Sequence, residues 1–112
     1  MEWLYCIAYF FGGMFFTNAI PHLVSGLMGR PFQSPFAKPP GRGLSSATVN
    51  VLWGFANLLI GYCLVFHVGN FNLRALPDAI ALGLGILGMS LICAQIFGAI
   101  NGGNSPKSLS QD

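Results

Sequence analysis

The chain has 112 residues, of which 54% are hydrophobic and 7% charged, with a mean hydropathy of +0.64. Five Lys/Arg against three Asp/Glu leave a formal net charge of +2, where an ordinary soluble domain carries roughly a quarter charged residues. So few charges cannot coat a water-soluble globule, and the apolar share excludes intrinsic disorder. Five basic residues cannot form a phosphate-tracking stripe, which excludes nucleic acid as a partner.

What remains is a membrane protein whose first partner is the lipid bilayer. A hydrocarbon core about 30 Å thick takes roughly 20 apolar residues in helix. Three stretches qualify, at about residues 3–29, 46–67 and 76–98. Lipid offers the backbone no hydrogen-bond partners, so runs of this length are helices, and the alternating strands of a β-barrel do not occur. The expected fold is all-α, one membrane domain over residues 1–112 built as a bundle of three transmembrane helices.

The first span opens on acidic Met1-Glu2 and lacks a small-residue cleavage site, so it reads as a retained helix rather than a secretory signal. Pro21 removes a backbone donor within it, which predicts a kink or local unwinding between Asn18 and Pro21. Residues 30–45, RPFQSPFAKPPGRGLS, are too rich in Pro and Gly for a helix. Phe32 and Phe36 predict an ordered interfacial loop rather than a bare connector. Arg30, Lys38 and Arg42 suit contact with anionic headgroups or a partner. Ser45 or Ser46 is the expected cap of the second helix; Asn70, Asn72 and Pro77-Asp78 supply turn and cap chemistry before the third. The Gly/Ser/Asn-rich tail, residues 101–112, reads as a flexible end.

Basic residues in short loops orient a membrane protein. Arg30, Lys38, Arg42 and Lys107 fall on one side and Arg74 alone on the other. That bias predicts a cytoplasmic first loop and C-terminus, and an N-terminus outside, in a bacterial inner (plasma) membrane.

Polar residues inside the spans define the candidate site, because each is costly in lipid without a partner. Asn18 and His22 lie four apart in the first span, with Gly26 one turn on. Asn50, Trp53, Gly54, Asn57 and Gly61 share a stripe in the second; Gly85, Gly88, Ile92 and Gln95 follow the same rhythm in the third. The expected polar cluster is therefore Asn18, His22, Asn50, Asn57 and Gln95. The expected packing glycines are Gly26, Gly54, Gly61, Gly85 and Gly88, since glycines admit close backbones and amides bond across the gap.

Cys6, Cys63 and Cys93 form no metal-ligand spacing, although Cys6 and Cys63 fall at similar depths where a disulfide is conceivable. His22 and His67 lie roughly 20 Å apart along the membrane normal, too far to share one haem iron within a chain. Neither a nucleophile–base pair nor a carboxylate pair is present, so no enzyme, metal or cofactor is expected. The expected role is helix–helix association, as a homo-oligomeric scaffold or a subunit of a larger membrane complex. The alternative is a homo-oligomeric channel or carrier for a proton or small solute, using His22 and the amides.

Overall fold

The structure, a computed structural model, describes residues 2–107. Three helices carry the chain: α1 (Glu2–Leu27), α2 (Ala47–Phe66) and α3 (Leu76–Asn101). All three are long and apolar enough to cross a membrane. At about 1.5 Å per residue, the 26-residue α1 and α3 each reach about 39 Å, more than the hydrocarbon thickness. The helix α1 runs unbroken through Pro21, without the local unwinding that proline suggested. Of the tail, residues 108–112 lie outside the described residues.

The helix ends are capped by local chemistry. Gly29, at φ +72°, turns the chain out of α1; the Gly29 and Arg30 amides donate back to the Gly26 and Ser25 carbonyls at 3.0 and 2.9 Å. These two bonds form a Schellman motif, which needs a residue that accepts positive φ. The Ser46 hydroxyl accepts from the Val49 amide and starts α2. Before α3, the Asp78 carboxylate accepts from the Asn72 amide at 2.9 Å and the Asn72 side chain accepts from the Arg74 amide. At its other end the Asn104 backbone amide donates to the Gly98 carbonyl, one of the helix's last four acceptors, and its side chain donates to the Gln95 carbonyl.

The first loop is folded. Phe32–Gln33 (β1) pairs antiparallel with Leu44–Ser45 (β2), Phe32 opposite Ser45. Inside this hairpin the Ser34 and Ser45 hydroxyls bond at 2.5 Å, and the Ser34 carbonyl accepts from Gly41 at 2.8 Å.

The helix α1 is the hub. It packs against α2 along one side and α3 along another, while among the described residues α2 and α3 share almost no contact. Against α2 it runs antiparallel: Gly12 meets Val65, Gly61 meets Phe16, Gly54 meets Leu23 and Gly26 meets Val51. A Cβ at Gly54 or Gly61 would lie only 2.7 or 2.9 Å from its neighbour, so these glycines set the interhelical distance. Against α3, α1 runs parallel, with Phe10 at Gly85, Asn18 at Cys93 and His22 at Phe97. A Cβ at Gly85 would overlap the Phe10 carbonyl outright.

Candidate functional site

Of the stripe expected on α2, Asn50, Gly54, Asn57 and Gly61 are buried and Trp53 is half-buried; Val65 extends the buried line. It faces Gly12, Phe16, Asn18, His22 and Leu23 of α1. Two buried amides in a largely apolar interface must find partners, and both do.

Asn50 is fully buried beneath the hairpin. Its side-chain N–H₂ is directed at three carbonyls, of Phe32 (3.1 Å), Ser45 (3.2 Å) and Ser46 (3.0 Å). That crowding of acceptors fixes which end of the amide is nitrogen. The oxygen then faces His22 Nδ1 at 2.7 Å, so Nδ1 carries a proton and donates it. One side chain thus joins α1, α2 and both strands of the hairpin. The His22 ring is enclosed by Phe32, Trp53 and Phe97, edge to face, at centroid distances of 5.5, 6.4 and 6.2 Å. Phe36 covers the same Trp53 at 5.3 Å. The loop phenylalanines therefore lie on helix side chains, as their apolarity requires.

A second knot lies deeper. Asn18 donates to the Asn57 oxygen at 3.1 Å, and Asn57 donates onward to the Trp53 carbonyl at 2.8 Å. The Cys93 thiol lies 3.8 Å from the Asn18 oxygen, which brings in α3. Thr17 returns its hydroxyl to the Gly13 carbonyl at 2.8 Å. Four of the five expected cluster residues, Asn18, His22, Asn50 and Asn57, thus form two linked networks.

Gln95 stands apart. It is exposed, on the outward side of α3 with Leu84 and Leu91, and Gly88 meets nothing within 4 Å of where a Cβ would sit. The inward line of α3 runs instead through Leu82, Gly85, Cys93 and Phe97. The rhythm 85–88–92–95 was misleading because Gln95 lies only six residues before the end of an overlong helix. There an amide can reach the headgroup region without turning inward. Gly26, Gly54, Gly61 and Gly85 pack as expected; Gly12 and Gly13 do so as well, without having been singled out. Their adjacency was the available signal, because neighbouring glycines point about 100° apart on a helix and serve two partners.

Arg30, Lys38 and Arg42 are exposed around the hairpin. The three cysteines are free, so the Cys6–Cys63 disulfide does not form. Two buried polar atoms, Gln33 Oε1 and Trp53 Nε1, have no hydrogen-bond partner among the described residues. No group of three or more His, Cys, Asp or Glu able to hold a metal occurs among the described residues. Compared with known protein families, curated proteins and solved structures, the chain finds no match. The fold and the site define a class, an all-helical three-span membrane bundle, and the function is argued from the site alone.

Proposed function

We propose that the protein acts through helix–helix association in a bacterial inner membrane, as an accessory subunit or self-assembling scaffold, with the hairpin in the cytoplasm and the N-terminus outside. One observation carries this reading. The intramembrane histidine and amides are spent on one another and on backbone carbonyls, so they hold the fold, and what is left for function is surface. The helix α3 offers that surface. Within the chain it buries only Gly85 and turns Leu84, Leu91 and an open Gly88 outward. An open glycine beside leucines lets a second helix approach closely.

Gly88→Leu tests the proposal, since it blocks this face without touching α1. Native mass spectrometry after gentle extraction is expected to show loss of higher-order species or of co-purifying partners. An unchanged assembly state with Gly88→Leu overturns it. A proton or solute conduit draws on the same His22 and amides and requires that His22→Phe abolish proton flux in liposomes. On the association reading that variant keeps its assembly.

A further inference from the structure

The end of the bundle opposite the hairpin holds an open cleft of about 490 Å³, within the size range of small-molecule sites. It is formed where the first turns of α1 and α3 meet the α2–α3 loop. Its walls carry two carboxylates, Glu2 and Asp78, three aromatic rings, Trp3, Tyr5 and Tyr9, and the amides Asn70 and Asn72. None of these groups belongs to the networks around His22 and Asn18.

Tyr9 is the informative member. It is 2% exposed, lines the cleft, and its hydroxyl has no hydrogen-bond partner among the described residues. Its ring is fixed edge-on against Phe71 at 5.0 Å. The hydroxyl is not among the enclosed polar atoms that lack a partner, so it opens on the cleft and is free to meet a bound group. Charge says what kind of group. The helices α1 and α3 both begin here, and each N-terminus contributes about half a positive charge. Two full carboxylates exceed that, and the C-terminal end of α2 adds to the negative side. Arg74, the one basic residue of the adjoining loop, does not line the cleft.

We infer that this cleft binds an organic ammonium group, held by the Glu2 and Asp78 carboxylates and by the exposed rings of Trp3 and Tyr5, with Tyr9 at the inner wall. A hard divalent cation fits poorly, because it takes six or so oxygen ligands and no metal-holding group of acids, histidines or cysteines is found among the described residues. An ammonium on a small organic body uses both features present, negative charge and aromatic faces. The cleft opens beside Trp3 and Tyr5, residue types that favour the headgroup level. The amine is therefore either a lipid headgroup or a free amine, and the two sources share one chemistry.

The test uses the full chain in an amine-free maltoside and buffer, titrated calorimetrically with choline and with its neutral isostere 3,3-dimethylbutan-1-ol. Saturable binding of choline alone is expected. Asp78→Asn keeps an acceptor for the Asn72 amide while removing the charge, and is expected to weaken choline five- to tenfold, or about that. Lys107→Gln, at the far end, leaves it unchanged. In parallel, the protein is assembled in nanodiscs of mixed phosphatidylethanolamine and phosphatidylglycerol and its retained lipid read by native mass spectrometry. Selective retention of the ethanolamine lipid, lost in Asp78→Asn, makes the headgroup the source; choline binding without such retention makes it a free amine. Equal binding of choline and the neutral isostere overturns the inference. So does an Asp78→Asn variant of unchanged affinity, or the absence of both amine binding and selective lipid retention.

Discussion

Replacing Asn50 removes the densest set of side-chain bonds in the molecule. Asn50→Ala deletes the bond from His22 and the three donated to Phe32, Ser45 and Ser46. Side-chain bonds between membrane helices average about 0.6 kcal/mol each, and bonds nearer 1 kcal/mol are usual in water-exposed proteins. The amide shares two N–H groups among the three carbonyls, so with the His22 bond about three full bonds are lost, which gives about 2 to 3 kcal/mol, or a factor of roughly 30 to 150 in the folding equilibrium. The Ser46 carbonyl also accepts from the Asn50 amide itself at 3.1 Å, which draws the effect toward the lower figure. Reversible unfolding in mixed micelles, read by Trp53 emission, measures it, because Trp53 lies against His22 and Phe36. Limited trypsin adds a local readout. Arg30 and Lys38 both precede proline and resist cleavage, so cutting of the loop reports Arg42, and the variant should be cut faster there. Asn57→Ala, which breaks only two such bonds, should cost about two-thirds as much. An Asn50→Ala protein within about 0.5 kcal/mol of wild type, with Arg42 still protected, would refute the claim that Asn50 clasps the hairpin to the helices.

Other perturbations follow from the same contacts. Gly85→Ala places a methyl on the Phe10 carbonyl and should lower the thermal midpoint sharply by forcing α1 and α3 apart. Gly88→Ala enters open space within the chain and should stabilise the isolated protomer by up to about 1 kcal/mol of helix propensity; equal effects at the two positions would contradict the packing. Gln33→Met removes a buried acceptor that has no partner and should stabilise the fold by about 1 kcal/mol in the same unfolding assay. ¹⁵N spectra of histidine-labelled protein should show His22 protonated at Nδ1, and Asn50→Leu should release that preference. Orientation can be tested in a background lacking Cys6, Cys63 and Cys93, with single cysteines at Phe36 and Asn70, both exposed. Labelling from opposite sides is expected, whereas Ser34 is buried and makes a poor probe.

The three helices were legible because lipid leaves an apolar run no alternative to satisfying its own backbone; their limits differ from the expected spans by a few residues at most. The buried stripe of α2 was legible for a related reason. Asn50, Gly54, Asn57 and Gly61 combine polarity with small size, and lipid rejects the first while only a close neighbour exploits the second. The inward face of α3 was not legible. It is apolar all round, so period carries no information, and Gly85 differs from Gly83 and Gly88 only by what Phe10 brings against it. Nor did the sequence pair Phe32 with Ser45. That register depends on the Asn50 side chain, which bonds the carbonyls of both residues from another element.

With α1 gripped on two flanks by helices that barely meet, the molecule resembles two leaves hung on one pin. Apart from the α2–α3 loop and the Phe32–Phe97 contact at the hairpin, a mechanical message between the leaves crosses the pin. Among the described residues Asn18 is the one side chain bonded to both leaves, through Asn57 on one and Cys93 on the other.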